Sequence, residues 1–498
     1  MTATEAHLSG VDGSLRALAE AVLLPGFAGT TAPDWVRARV AAGLGGVVLF
    51  GRNVVDDEQV AALTAALRAE RADVVVGIDE EGGDVTRLDA ATGSDVPGPL
   101  ALGAAGDLRL TAEVGAALGA RLAACGVTVN LAPCADLTLT QDDPIIGVRS
   151  FGSDPYDAAA HVAAYVRGHQ RGGVAACAKH FPGHGAATAD SHVALPVLPR
   201  TPDELRAAEL VPFRAALAAG VRAVMTGHLV VREWGEDPVT LNAAAINGVL
   251  REELGFTGAV ITDALEMGAV AGTLGDADGL TAAAVRALRA GADALCVGGE
   301  VADAGVVAGL VDRIVAAVAA GELAEERLAE AAARTRALGT APGRTTAPSS
   351  AHRAELGITA ARRAIRATGV PDLHDPLVLD VEVDPTIAAG YVPWGLGEHV
   401  ARLVPNSTTL RVDAAASADA LGAARSASAV VVVTRDAHRH PAVRSLVSEL
   451  VRTNPVTVHV ETGVPGPDLG ATARIDTFGS SRPSLLAAAE LVAAACAR

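Results

Sequence analysis

The stretch Val74-Val75-Val76-Gly77-Ile78-Asp79-Glu80-Glu81-Gly82-Gly83 passes from an unbroken apolar run into three acids and two glycines. Continuous rather than alternating hydrophobicity reads as a strand buried on both faces, the pattern of a parallel sheet. The same pattern recurs at Val22–Pro25, Val47–Phe50, Val127–Ala132, Ala175–His180, Ala223–His228, Ala259–Asp263 and Ala294–Val297. Between these runs lie Ala-rich amphipathic stretches such as Asp57–Glu70, Leu108–Cys125, Pro155–Gly172, Pro202–Gly220 and Leu280–Ala290. Several open on Asp or Pro and stop at Gly, which are helix end signals. Eight strand–helix units in about 340 residues predict an α/β fold, a (β/α)8 barrel of the TIM type with long loops. A doubly wound sheet, which has fewer units, ranks second.

The ends of the runs are polar: Phe50-Gly51-Arg52-Asn53, Asp79-Glu80-Glu81, Lys179-His180, Gly227-His228 and Thr262-Asp263. In a parallel barrel the carboxyl ends open onto one face, where active sites are built. The barrel is expected to fill residues 1–338 as the catalytic domain. Residues 339–352, beginning GTAPGRTTAPSS, have the composition of a linker. Further runs at Leu377–Val383, Thr408–Val412, Ala429–Val433 and Val456–Glu461 predict a smaller α/β sandwich, flavodoxin-like, over 353–498.

The 498 residues carry 40 Lys+Arg against 58 Asp+Glu, a net charge of −18, which speaks against a nucleic-acid partner. No apolar run is long enough to span a bilayer, so no membrane partner is expected. The five cysteines show neither a disulfide framework nor metal-ligand spacing. The first residues carry no basic region followed by an apolar stretch. A cytoplasmic location is expected. Of the 40 basic residues, 39 are Arg and only Lys179 is Lys. Either Lys179 is drift under a codon bias, or its position needs a compact ammonium that a planar guanidinium cannot imitate.

Lys179 opens the segment with the densest chemistry, AKHFPGHGAATADSH over 178–192. His180 and His184 stand four apart, but Pro182 and Gly183 oppose the helix that would turn both toward one metal ion, and no metal is expected. The small residues of 183–189 read as a mobile loop. Asp190 two residues before His192 suits a carboxylate that fixes a ring tautomer and raises the basicity of the other nitrogen, or else an incidental surface pair. Asp263 at a strand end is either a helix N-cap or a carboxylate engaged with ligand. The acids and glycines of 79–83 form either a solvated turn or a close backbone approach to a ligand. Arg149, in IIGVRSFG, suits a fork onto hydroxyls or an anion, or onto a carboxylate.

Together these segments resemble glycoside hydrolase family 3, in its β-N-acetylglucosaminidase branch with an Asp-His dyad and two domains. The likeness runs over about residues 15–300, through LLPGFAGT, GGVVLFGRN, GIDEEGG-x-V-x-RL, IIGVRSFG, KHFPGHG-x4-DSH, VMTGH and VITDALEMGA. It implies a retaining exo-β-N-acetylglucosaminidase (β-N-acetylhexosaminidase type) with Asp263 as nucleophile and His192 as general acid/base, oriented by Asp190. By the same likeness Asp79, Arg87, Arg149, Lys179, His180, Met225 and His228 hold a sugar. No cofactor is implied. Asp84 stands where the family often has Arg, and Ala186-Ala187 where Asp-Thr is frequent.

The substrate implied is a small saccharide from cell wall or chitin. The family includes phosphorylases with this dyad, so a β-N-acetylglucosaminide phosphorylase with inorganic phosphate as acceptor is an alternative, as is another β-glycosidase; a silent sugar-binding protein is a further alternative. With 13 aromatic residues in the chain, Phe27, Phe50, Phe151, Phe181 and Trp234 are expected at the functional rim. Oligomeric state is not legible.

Overall fold

The computed structural model describes residues 13–498 apart from 141, 142, 144, 188–194, 268, 269, 271–276, 299–301, 341–346, 392 and 417. The chain is an α/β protein that divides into two units: 1–80, 115–137 and 154–348, and then 81–114, 138–153 and 349–498.

In the first unit the apolar runs form strands β1 (Leu23–Pro25), β2 (Gly46–Leu49), β3 (Val75–Ile78), β4 (Val129–Asn130), β5 (Ala175–Phe181), β6 (Ala223–Thr226), β7 (Ala259–Thr262) and β8 (Leu295–Val297). Strands β2 to β7 form one parallel sheet in sequence order, and β1 pairs in parallel with β8. A parallel bridge from Ile261 to Ala294 joins β7 to the residue before β8. At the β1–β2 junction the Gly45 N–H reaches the Glu20 carbonyl at 2.8 Å in place of a ladder.

Every strand contributes to one buried cluster: Leu24, Val48, Val75, Val129, Ala175 and Cys177, Ala223 and Met225, Ala259 and Ile261, and Cys296. Five of these eleven positions are Ala or Cys, small residues that suit a crowded cluster to which eight strands contribute. The helices between strands start where the sequence signals predict. Asp56 accepts from the Gln59 N–H, Asp154 from those of Tyr156 and Asp157, and Thr201 forms a capping box with Glu204. At the amino end of the sheet the buried Asp293 accepts from Arg251 at 2.6 Å, Arg334 at 3.3 Å, Arg327 and the Val260 N–H. That knot serves stability, since the chemistry of a parallel sheet belongs to its other end.

The second unit contains β9 (Arg366–Ala367), β10 (Leu377–Glu382), β11 (Thr408–Asp413), β12 (Val430–Thr434), β13 (Thr457–Glu461) and β14 (Ala473–Asp476). Their order is β11-β10-β12-β13-β14-β9, parallel except for the β9–β14 pair. Alternation in β12 sends Val431 and Val433 to one core cluster and Val430 and Val432 to another. The sheet is therefore covered on both faces. Strands β9 and β14 escape sequence reading: one has two residues, the other (Ala-Arg-Ile-Asp) alternates polar and apolar.

Candidate active site

Lys179 and His180 fall where β5 slips out of register with β6. Ala178 pairs with Val224, but Phe181 pairs with Thr226, so one residue of β5 is extra. Such a bulge re-aims side chains. The Lys179 Nζ lies 2.5 Å from Asp79 Oδ1, just past the end of β3, with the lysine side chain only 3% exposed. The lone ammonium of the chain is thus buried against a carboxylate at the carboxyl end of the sheet.

Beside it stands a residue the sequence reading passed over. Asp136, buried in the loop after β4, accepts the His180 and His184 backbone N–H groups and faces His180 Nδ1 at 2.8 Å. Burial opposes its ionisation, yet the charge and hydrogen bond of His180, helped by His184, hold its carboxyl at about 2. Facing a carboxylate oxygen, the His180 Nδ1 is the nitrogen that donates, and Nε2 is turned to the other side of the ring. The donor atoms of Cys134, Asp136 and His180 lie within 4.8 Å of one another, but the Cys134 thiol also faces Asp136, at 3.1 Å. Thiol and imidazole thus both turn to the one carboxylate. No glycine or polar motif betrays Asp136 in the sequence; only its crossing with β5 in space reveals it.

Asp263 follows β7 at the same end of the sheet, and one of its oxygens accepts the Ala264 N–H at 2.8 Å. Its charge, with those of Asp79 and Lys179, reaches the buried Cys177 thiol, which burial pushes up, the two carboxylates raise further, and Lys179 lowers. Cys296 senses the same three groups. The charges of β3, β5 and β7 therefore gather around one set of strand ends.

His228 is fully buried, with Nδ1 2.8 Å from the Thr240 hydroxyl and Nε2 2.9 Å from the Ala264 carbonyl. Through Nε2 the ring braces the chain next to Asp263. Met225 packs in the central cluster of the strands. Phe27 and Phe181 are buried, Phe181 edge-on to Phe213, and Phe50 lies under the Arg52 guanidinium at 4.4 Å. Three aromatics expected at a sugar-binding rim are thus packed within the protein. Gly183 and Gly185 also differ from the mobile loop expected there. A Cβ on Gly183 would meet Glu209 at 2.7 Å, and one on Gly185 the Leu137 carbonyl at 1.6 Å, so these glycines serve close packing. Asp190 and His192 lie outside the described residues.

Arg87 and Arg149 belong to the second unit. Arg149 forks onto Glu81 at 2.7 and 3.0 Å with both side chains buried, the carboxylate alternative of the sequence reading. Arg87 donates to the carbonyls of Ala388 at 2.8 Å and Ala389 at 3.3 Å. Asp84 pairs with Arg435 at 2.8 Å and accepts the Ser480 N–H at 2.8 Å, which accounts for an acid at this position. Gly83 has φ +66° and passes so close to Gly98 that a Cβ would lie 2.4 Å from its Cα. The close approach that this glycine permits is to backbone. Phe151 is buried in this unit.

A chain with a strand-end carboxylate, a buried Lys–Asp pair and a carboxylate-braced imidazole on a parallel sheet has the parts of a glycosidase. The profile of the glycosyl hydrolase family 3 N terminal domain matches residues 31–338. A β-hexosaminidase of Stenotrophomonas maltophilia (strain K279a) is 40% identical over 259 residues, covering 50% of this chain and 76% of that protein. One from Thiobacillus denitrificans is 38% identical over 292 residues, 56% of this chain and 79% of that one. A solved family 3 β-N-acetylglucosaminidase from Paenibacillus sp. str. FPU-7 superposes with a TM-score of 0.87 at 31% identity, over 97% of both chains. The chain belongs to glycosyl hydrolase family 3. It is a glycosidase, and a saccharide is its substrate.

Proposed function

We propose that the protein is a retaining exo-β-N-acetylglucosaminidase whose catalytic unit is a (β/α)8 barrel over 1–338, followed by a linker at 339–352 and a flavodoxin-like domain over 353–498. The barrel reading is supported by eight parallel strands sharing one central cluster. For the second domain, the parallel strand order 2-1-3-4-5 is that of doubly wound flavodoxin-type sheets. The specificity rests on relatives described as β-hexosaminidases and β-N-acetylglucosaminidase.

The observation that carries the mechanism is the buried Lys179–Asp79 pair beside the Asp136-braced His180, at the strand ends where Asp263 also stands. Asp79, Lys179 and His180 hold sugar hydroxyls by charge-assisted hydrogen bonds. Asp263 attacks the anomeric carbon while His192, oriented by Asp190, protonates the departing glycosidic oxygen. The glycosyl ester so formed is cleaved by water, whose proton returns to His192, restoring Asp263 and the β configuration. Arg87 and Arg149 stay in this reading as substrate-binding residues on their motifs alone. His228 and Met225, substrate-binding by the sequence likeness, take in this reading the part of supports behind the site, in line with their buried contacts. A cytoplasmic location belongs to the same proposal; among the described residues no helix is long and apolar enough to cross a membrane.

The test is cleavage of an aryl β-N-acetylglucosaminide followed by NMR of the first-formed product, with and without phosphate. The expected product is the β-anomer of N-acetylglucosamine, and Asp263→Ala abolishes it. An α-anomer, full activity in Asp263→Ala, or a sugar 1-phosphate as main product would overturn the reading.

A further inference from the structure

In the second unit a cleft of about 760 Å³ opens at the carboxyl ends of β10 and β11, with His440, Ala442 and Val443, which follow β12, on its far wall. Strand β10 is where the chain order reverses, β11 on one side and β12 on the other, and open parallel sheets bind ligands in the crevice at that point. Its volume is that of a small-molecule site.

The lining is specific. Tyr391 and Trp394, two of only six Tyr and Trp residues in the chain, both face it. Tyr391 is 78% exposed, and neither ring makes a side-chain hydrogen bond among the described residues. Such exposure on the wall of a cleft leaves an aromatic face open to a partner. Glu382, Asp384 and Asp413 add carboxylates, and Arg411 adds a guanidinium whose nearest carboxylate oxygen, on Glu382, is 4.0 Å away. Asp380 spends both oxygens on the Leu396 and Gly397 N–H groups, which fixes the chain beside Trp394.

The excess of carboxylates over guanidinium disfavours phosphates and nucleotides in a protein of net charge −18. Flat aromatic faces flanked by hydroxyl acceptors suit an uncharged sugar, which presents apolar C–H faces and a rim of O–H donors. We infer that this cleft is a second saccharide-binding site, built wholly from the second unit and sharing no residue with the catalytic set. The segment that carries Tyr391 and Trp394 also supplies the Ala388 and Ala389 carbonyls that hold Arg87. Occupancy of the cleft therefore bears on the backbone to which Arg87 is tied.

The experiment uses the full chain with Asp263→Asn, titrated by calorimetry with the N-acetylglucosamine trimer, with cellotriose and, as a cationic control, with spermidine. Two saccharide-binding events per chain are expected with the trimer. Tyr391→Ala weakens one at least tenfold, leaves the other, and in the wild-type background leaves turnover of an aryl N-acetylglucosaminide within twofold. Arg411→Ala, at an exposed position, repeats the loss without removing a ring. A single saccharide event, or two that both survive in Tyr391→Ala and Arg411→Ala, overturns the site. Tyr391-dependent binding of spermidine but of neither sugar overturns the ligand class. Failure of the proposed enzymatic specificity would show as absent turnover of the N-acetylglucosaminide, whereas Tyr391-dependent sugar binding is read separately.

Discussion

Lys179 and Asp79 form a 2.5 Å ion pair across two strands that are not neighbours, with the β4 strand between them and the lysine all but sealed from water. A buried charge left without its partner costs about 3–5 kcal/mol. Lys179→Ala is expected to lose that stability in thermal unfolding and at least a hundredfold in kcat/KM. Lys179→Arg keeps the charge but forces a wide fork into a space filled by a compact ammonium. It is expected to lose roughly as much rate, about 3 kcal/mol at the transition state, and to be seen in kcat/KM on an aryl glycoside. Retained rate in Lys179→Arg would return the lone lysine to codon drift.

Asp136 is predicted to be a positioning residue for His180. Asp136→Asn keeps the shape and still accepts backbone N–H groups, but weakens the bond to Nδ1. A tenfold to hundredfold fall in kcat/KM is expected, with nitrogen chemical shifts showing His180 no longer held as the Nδ1–H tautomer. An unchanged tautomer together with a lost rate would reduce Asp136 to a structural role.

His192→Ala is expected to slow alkyl glycosides far more than activated aryl glycosides, because protonation of the leaving oxygen matters most for poor leaving groups. Equal losses on both would remove the acid role from His192.

Acid stability should differ between the two units. In the first, burial lowers His169 and His184 from 6.5 to about 4. Folded, both stay neutral where the unfolded chain takes up protons. Their contribution is complete above pH 6.5 and is lost as pH falls toward 4, about 3 kcal/mol for each histidine. In the second, His459 behaves the same way, but burial, with Asp436 nearby, raises Glu461 from 4.5 to about 7. A raised carboxyl contributes fully below pH 4.5 and loses its contribution as pH rises toward 7, so it offsets His459. Hydrogen exchange by segment from pH 7.5 to 4.5 should therefore show the first unit loosening before the second. The opposite order would contradict these assignments.

The Asp84–Arg435 pair ties the acidic glycine loop to the chain after β12 within the second unit. Arg435→Ala strands a buried carboxylate and is expected to cost about 3 kcal/mol. The exchange Asp84→Arg with Arg435→Asp should recover only part, because the Ser480 N–H then loses its acceptor. Full recovery in unfolding midpoints would show that charge balance alone matters there.

Reading the sequence succeeded where the signal is local. Runs of Val, Ile and Leu mark the longer strands because both faces of a parallel sheet are apolar. Helix ends follow their caps, and Asp79, Lys179, His180 and Asp263 stand out as polar residues ending such runs. It failed where the signal is a partner distant in the chain. Asp136 matters because the bulge in β5 brings two backbone N–H groups and an imidazole onto it. That the His228 ring lies between Thr240 and the Ala264 carbonyl is likewise set by segments distant in the chain. Phe27, Phe151 and Phe181 are aromatic near functional motifs, yet folding buries them.

The sequence by itself determined the α/β alternation, the polar ends of the strands and the family, because burial pattern and motif are properties of neighbouring residues. Only the tertiary structure decided which charges pair, that Arg149 meets Glu81 and Arg87 two carbonyls, and that Tyr391 and Trp394 meet in one cleft. Those outcomes depend on which segments cross in space, and the energy of a buried charge is set by its neighbours across the fold rather than along the chain.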